Sequence, residues 1–261
     1  MEVKKLHNFV KKLLNLTKEM TKNGIEYNLN DNFAVMLLGF FSKQEEHMKV
    51  ISLLVEYGYE RDAELNARSM IEGLILIKWT YQNPKDRSFL WYYFPCILAW
   101  RRMQERINNG EKIEQKEGDL INQNINSYGE KFYIKKAREH YESKTSEPFK
   151  GDPYFKKWYG SDFAYLVQQV NGAEVLYKNF YRPFSDWHHW NPMGLWQALE
   201  RDKKTNIFSY SLSSIVSLTN TLVVGFECLI QTAEVVNHYF NLRFDTKLKN
   251  LAEEIEVASR M

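Results

Sequence analysis

The segment Leu65-Asn-Ala-Arg-Ser-Met-Ile-Glu-Gly-Leu-Ile-Leu-Ile-Lys-Trp79 lies between two signals that end helices. Gly58 precedes it, and Asn83-Pro84 follows it. Because glycine and the residue before a proline both favour the end of a helix, the sequence predicts one helix over residues 60–81. A second helix is predicted over 31–57, where Asp31 is a suitable N-cap. The short connection makes the two an antiparallel hairpin.

Other segments also have apolar residues at helical spacing and end at similar signals. The predicted helices cover 2–22, 84–109, 111–142, 161–170, 173–190, 205–241 and 245–260. Loops are predicted at 143–160 and 191–204, and prolines inside two helices, Pro95 and Pro183, predict local distortion. Glycine and proline number only 12 and 6, too few for the many turns of a β-sandwich or barrel. The sequence therefore predicts an all-α protein.

The segments that flank the predicted loop 143–160 lack independent cores, so we expect a single helical domain over residues 1–261, with its core over about 30–241. The Glu and Lys content of the predicted helix 111–142 indicates an exposed or partner-facing helix. The C-terminal segment 245–261 is predicted to be an amphipathic helix.

Composition narrows the class of protein. Hydrophobic residues make up 44% of the chain, which excludes wholesale disorder, and the net charge of +2 with no basic tail excludes a strongly basic nucleic-acid binder. Cys96 and Cys228 are far apart and are interpreted as reduced thiols rather than a disulfide scaffold. The N-terminus lacks the apolar region of a signal peptide, and polar residues interrupt the most apolar stretch, 212–232. We expect a cytoplasmic protein without a membrane span.

Arg68 and Glu72 are the first candidates for chemistry. They are four residues apart, so they face the same side of the predicted helix. Apolar residues surround Glu72, and a buried carboxylate needs a partner, for which Arg68 is available. The pair is interpreted either as an internal ion pair or as support for a nearby site.

The segment 177–189 carries a second group of polar residues. Tyr177, Tyr181, Ser185 and His189 recur at intervals of four and form one stripe on a helix, with Arg182 and His188 beside it. Histidine changes charge near neutral pH and suits acid or base catalysis, whereas arginine matches the geometry of a phosphate. These side chains could deprotonate a ribose 2′-hydroxyl and neutralise a phosphorane without a metal.

Two other interpretations of this segment remain open. The stripe could be a hydrogen-bonded polar cluster between helices, because buried polar groups are normally paired. His188 and His189 could instead bind zinc with Glu72 or Asp186, but no third ligand stands at useful spacing, and we predict no metal or other cofactor.

Two stretches resemble a bacterial family of uncharacterised helical proteins. Arg68-Ser69-Met70-Ile71-Glu72 resembles its Arg-Ser-Leu-x-Glu helix. Trp158-Tyr-Gly160-Ser161, followed by Tyr177-x-x-x-Tyr181-x-x-x-Ser185-x-x-x-His189, resembles its later signature. Order and rough spacing agree over about residues 30–230. The family implies no activity.

A more remote resemblance is to the HEPN ribonucleases, whose helices carry an Arg separated from a His by four to six residues. Here five residues separate Arg182 from His188, and six separate it from His189. The resemblance implies a HEPN-like helical bundle, a homodimer that joins two such motifs into one metal-independent ribonuclease site, and a defence or toxin role with a partner protein from the same system. RNA would be the substrate. Pro183 departs from the usual continuous helix. Because the chain is longer than a minimal HEPN domain, the resemblance also implies that the charged region 111–160 is an insertion or partner surface.

The resemblance also implies roles for individual residues. Arg182 would stabilise the phosphate and His189 would be the general acid or base, assisted by His188, Ser185 and Tyr181. Arg68, Glu72 and Tyr177 would support them. The alternative function is a non-catalytic module that binds or senses a partner protein or a nucleotide through the aromatic helix 89–100 and the charged helix 111–142. A third interpretation treats the stripe as purely structural.

Overall fold

A computed structural model describes residues 3–143, 147, 149–189, 192, 199–201, 208–210 and 215–260. These residues form helices and one short strand pair, which confirms the all-α class. The helices are α1 Val3–Thr21, α2 Asn32–Glu56, α3 Glu60–Tyr81, α4 Pro84–Asn108, α5 Gln115–Tyr128, α6 Lys135–Glu142, α7 Phe163–Gln169, α8 Ala173–Leu176, α9 Arg182–His188, α10 Ile215–Phe240 and α11 Asp245–Arg260. A 3-10 turn, Gly129–Phe132, precedes α6, and a π-helical turn, Tyr177–Tyr181, joins α8 to α9. Strands β1 Leu199–Arg201 and β2 Phe208–Tyr210 pair antiparallel.

The ends of the first helices lie where the sequence predicts them. Asp31 caps α2 through its Oδ1, which accepts hydrogen bonds from the N–H groups of Phe33 at 3.1 Å and Ala34 at 3.0 Å. Pro84 occupies the first turn of α4, where its missing N–H costs no hydrogen bond. Helix α4 continues through Pro95.

The later elements differ from the sequence predictions. The helix predicted over 111–142 is divided into α5, the 3-10 turn and α6. Gly129 lies at the break, where an added Cβ would meet the Tyr154 hydroxyl oxygen at 3.3 Å, so the glycine permits close packing of that ring. Helix α10 begins at Ile215 rather than residue 205, because Phe208 and Tyr210, both strong strand formers, lie in β2. Strand β1 lies in the predicted loop 191–204.

The described residues form two compact units. The first contains described residues of 1–28, 37–79 and 166–261. In it, α1 packs against α10 and α11, and α10 packs against α11. Their apolar faces supply its buried side chains, which include Leu6, Leu13, Leu222, Leu229 and Leu248. This unit contains the part of α3 that carries Arg68 and Glu72, and also α8 and α9.

The second unit contains residues 29–36 and described residues of 80–165. Its core includes Phe94 and Ile97 from α4, together with Phe132 and Tyr154. The Arg101 guanidinium donates to the Asp152 carboxylate at 2.7 Å and to the carbonyl oxygens of Tyr154 and Phe155, so it fixes this segment against α4. The charged region 111–160 therefore contributes buried aromatic side chains of its own. The single-domain organisation stays a prediction.

Two smaller features also bear on the class of protein. No helix within the described ranges has an apolar stretch long enough to cross a membrane. Cys96 and Cys228 are both free thiols, the first half-buried and the second buried. Burial raises the pKa of both thiols.

Gly225 tests the packing of α10 on α2. A Cβ at this position would lie 3.0 Å from the Met48 sulfur and 3.2 Å from the Ile51 methyl carbon. We expect Gly225→Leu to lower the free energy of unfolding by about 1–3 kcal/mol, because overpacking forces these neighbours to shift. Gly39→Leu is the matched control. Gly39 is exposed inside α2 with open space around it, so leucine should raise that free energy by up to about 1 kcal/mol. Urea titrations that shift both variants in the same direction would contradict this packing.

Candidate functional site

Arg68 is the centre of a polar network in the first unit. Its Nε donates a hydrogen bond to Ser185 Oγ at 2.7 Å, and its Nη2 donates to the Tyr181 hydroxyl at 3.1 Å. The guanidinium carbon also lies 4.7 Å from the centroid of the Tyr181 ring. Charge-assisted hydrogen bonds are about twice as strong as neutral ones, so a single half-buried side chain on α3 fixes the segment 181–185.

Glu72 joins this network through tyrosine. The Tyr181 hydroxyl donates to Glu72 Oε2 at 3.4 Å. No ion pair within 4 Å links Arg68 to Glu72 in the described part of the chain, so the predicted direct pair is replaced by a bridge through a hydroxyl. Both charged side chains are half-buried, as the apolar surroundings of Glu72 indicated.

The predicted stripe of hydroxyls is present and is engaged in the same network. Ser185 Oγ accepts from Arg68 and donates to the Tyr181 carbonyl oxygen at 2.6 Å, a bond to the preceding helical turn. The rings of Tyr177 and Tyr181 stack, with centroids 5.3 Å apart. The term Arg68 network is used below for Arg68, Glu72, Tyr177, Tyr181 and Ser185.

The helical path is continuous through Pro183. Helix α8, the π turn and α9 follow one another without a break from residue 173 to residue 188. Proline has no N–H and its ring crowds the carbonyl four residues earlier, which disfavours a regular α-turn at this point. Just before Pro183, the N–H of Arg182 bonds to the Tyr177 carbonyl oxygen, five residues back. The local distortion predicted at Pro183 is therefore a π turn, and such turns are frequent at functional sites.

The remaining candidates lie outside the Arg68 network. Arg182, His188 and His189 are exposed, and their side chains have no hydrogen bond or ion pair with another described residue. The two histidine rings stand edge to face with centroids 4.8 Å apart, and the His189 N–H donates to the Ser185 carbonyl oxygen at 3.1 Å. Ser185 therefore connects the network to the turn that carries His189.

A second hydrogen-bonded group, not predicted from the sequence, lies between α2 and α3. Asn66 Nδ2 donates to the Asp62 carbonyl oxygen at 2.8 Å, which directs Asn66 Oδ1 towards His47 Nδ1 at 2.9 Å. His47 Nδ1 must then be the donor, so Nε2 accepts from Ser69 Oγ at 3.2 Å. The three-residue spacing of Asn66 and Ser69 on one helical face was the only signal available.

Tyr181→Phe tests the hydroxyl at the centre of the Arg68 network. We expect the free energy of unfolding to fall by about 1–3 kcal/mol, because the Arg68 and Glu72 side chains both lose a hydrogen-bond partner while half-buried. Tyr57→Phe is the matched control, since that ring is 70% exposed at the end of α2. Denaturant titrations with equal shifts in the two variants would contradict the network.

His47 predicts how stability depends on pH. Burial lowers the pKa of His47 below its ordinary value of 6.5, despite the opposing hydrogen bond to Asn66. The unfolded chain therefore takes up this proton first, so the free energy of unfolding falls as pH drops from about 6.5 to the folded pKa. Urea titrations from pH 7.5 to 5.5 should show a smaller decline in His47→Gln than in wild type. His7, whose pKa burial also lowers, should account for part of the remaining decline. Identical pH profiles in wild type and His47→Gln would rule out this role.

The comparisons with known proteins identify a family. The family model for DUF5677, described as a family of unknown function, matches residues 34–206. This range includes the Arg68 network and the exposed residues 182, 188 and 189. No curated protein and no solved structure matches the chain. Because the match covers more than half of the sequence, the chain belongs to the DUF5677 family, and the expected membership of an uncharacterised family is confirmed.

Proposed function

We propose that this protein is a HEPN-like, metal-independent endoribonuclease of a defence or toxin-type system. The observation that carries the proposal is the division of the helix 173–188 into two sides. Its buried side is held by Arg68 through Tyr181 and Ser185, while Arg182 and His188 remain exposed, with His189 directly after them. A rigid support with accessible cationic and titratable groups is what phosphate chemistry requires.

The proposed reaction uses the 2′-hydroxyl of the RNA as the nucleophile. His189 removes the hydroxyl proton as the oxygen attacks the adjacent phosphorus. The bond from phosphorus to the 5′-oxygen breaks, and that oxygen takes a proton from a second histidine, His188 or the His189 of a second copy. The products are a 2′,3′-cyclic phosphate and a 5′-hydroxyl. Arg182 stabilises the charge that develops on the phosphorane oxygens.

The other predicted residues receive positioning roles. Tyr181 and Ser185 use their hydroxyls within the Arg68 network, so they act on the reaction through the placement of α9 rather than by contact with RNA. Glu72 and Tyr177 support Tyr181. In this proposal the protein acts in the cytoplasm as a homodimer and is controlled by a partner protein of the same system.

A non-catalytic binding module is the second candidate function. It is favoured by exposed apolar side chains on the two helices that the sequence assigned to a partner surface. Tyr92, Leu98 and Ile107 are exposed on α4, and Leu120 is exposed on α5. Such side chains suit contact with a partner protein.

RNA cleavage in EDTA tests the first proposal. The wild-type protein should cleave single-stranded RNA in the chelator, and His189→Ala should reduce the rate by at least about a hundredfold, because general acid–base catalysis contributes that much. The melting temperature should not change, because His189 is exposed. His238→Ala, a histidine substitution in the last turn of α10, is the control and should retain the wild-type rate.

Four results would count against this assignment. Cleavage that EDTA abolishes would remove the metal-independent mechanism. A full rate in His189→Ala would remove the role of His189, and a lower melting temperature with unchanged activity would favour a structural role for the stripe. Intact RNA together with capture of a specific partner would favour the binding module.

A further inference from the structure

A cavity of about 250 Å³ lies in the first unit beside the Arg68 network. Its lining comes from α3, α10, α8 and the turn 170–172 that leads into α8. Ligand pockets for drug-sized molecules usually measure about 300–1,000 Å³, so this cavity suits a smaller molecule or one part of a larger one. Both polar and aliphatic residues line it, and together they define the kind of ligand.

Three half-buried polar side chains in the lining form a hydrogen-bonded row. Lys78 Nζ donates to Gln231 Oε1, and Gln231 Nε2 donates to Glu227 Oε1. An ammonium group has three donors and a carboxylate can accept several hydrogen bonds, so Lys78 and Glu227 both have capacity left for a ligand. The row therefore offers donors at one end and acceptors at the other, with an amide between them.

The apolar lining consists of aliphatic side chains. Leu74 and Ile75 on α3 are each 1% exposed, and Leu176 is the last residue of α8. Val175 also lines the cavity although it is 60% exposed, and Gly172 beside it is exposed too, so this side faces solvent. A ligand could therefore place a flat ring against the aliphatic side chains and extend outward past Val175.

We propose that this cavity binds a guanine base. The edge of guanine has a carbonyl acceptor, O6, next to a ring N–H and an amino donor. O6 accepts from Lys78, and the amino group at the other end of that edge donates to the Glu227 carboxylate. The ring N–H between them faces the Gln231 amide oxygen, and the aliphatic residues contact the faces of the ring. Adenine has the opposite arrangement, an amino donor where guanine has its acceptor, so its amino group would face the Lys78 ammonium donor against donor.

The guanine could belong to a free nucleotide or to an RNA strand. The second source rests on the proposed ribonuclease function. Leu176 and Ser185 lie on the same helical path, and nine residues of helix span about 14 Å. A base in the cavity would then lie within a few nucleotides of a phosphate held by Arg182 and His189, and the protein would prefer RNA with a guanine near the cleaved bond.

Calorimetric titration with GMP, IMP and AMP tests the base assignment on the wild-type protein. IMP lacks only the amino group that donates to Glu227, and AMP reverses the donor and acceptor pattern. We expect GMP to bind about tenfold more tightly than IMP and about a hundredfold more tightly than AMP, because hydrogen bonds to charged groups are worth that much. Equal affinities for the three nucleotides, or no binding of GMP at millimolar concentration, would overturn the assignment.

Variants of Lys78 and Glu227 test the contribution of each end of the polar row to nucleotide binding. Glu227→Gln keeps an acceptor oxygen but loses the charge, so it should reduce the preference for GMP over IMP, and Lys78→Met should weaken GMP binding by at least about tenfold. Lys178→Met is the matched control for lysine, because Lys178 pairs with Glu174 on an exposed face and does not line the cavity. Affinities that are the same in Glu227→Gln, Lys78→Met and the control would overturn the assignment. The nucleotide series on wild type keeps the test valid if a variant fails to fold.

An experiment with RNA distinguishes a free nucleotide from an RNA strand as the source of the guanine. It also distinguishes failure of the guanine site from failure of the proposed ribonuclease function. An oligonucleotide with guanine and one with inosine at the same positions are compared for cleavage in EDTA. A preference for guanine places the RNA base in the cavity, and selective GMP binding without this preference assigns the cavity to a free nucleotide. Selective GMP binding by a protein that cleaves no RNA would support the guanine site and overturn the proposed ribonuclease function. Equal cleavage of the guanine and inosine oligonucleotides, by a protein that does not bind GMP, would support the ribonuclease and overturn the guanine site.

Discussion

The hydrogen bonds of the Arg68 guanidinium determine how the helix 173–188 is placed. A half-buried cation needs hydrogen-bond acceptors, and Glu72 on the same helix is reached only through the Tyr181 hydroxyl. Arg68 therefore satisfies its donors on Ser185 and Tyr181, which belong to a segment more than a hundred residues away in sequence. The requirement to pair one charge links two helices and sets the position of the exposed groups that follow Ser185.

The π turn explains how this linkage tolerates a proline. Pro183 has no N–H to donate to the preceding turn. The π turn just before Pro183 contains one extra residue, so the irregular hydrogen bonding lies in that turn and not in α9. Helix α9 can then continue to His188 with Arg182 at its first position. The same helices α3 and α8 line the cavity one to two turns away, so the network, the exposed groups and the cavity share one support.

Local patterns in the sequence predicted much of this arrangement. Asp31 and Pro84 marked the starts of α2 and α4, and the four-residue spacing of Tyr177, Tyr181 and Ser185 predicted that they share a face. Spacing reports only which side of a helix a residue occupies. It could not show that Tyr181 would stand between Arg68 and Glu72, or that Lys78 would meet Gln231 across 153 positions of sequence. Those contacts depend on which helices pack together, and that is a property of the whole core.

The charged region 111–160 shows the same limit. The HEPN resemblance implied an insertion or partner surface here, yet Phe132 and Tyr154 are buried with Phe94 and Ile97 in the second unit. A few buried aromatic residues can build a core inside a sequence that is charged on average, because burial depends on the area removed from water by particular side chains and not on mean composition.

Amide hydrogen exchange tests most directly whether Arg68 holds this helix. The measurement compares residues 182–189 in wild type and in Arg68→Met, which keeps the length of the side chain but loses its donors. Amides of Ser185 and His189 should exchange at least about tenfold faster in the variant, because local opening of α9 becomes easier, while amides of α1 should keep their wild-type rates. Equal exchange rates over 182–189 in the two proteins would contradict the central role of Arg68.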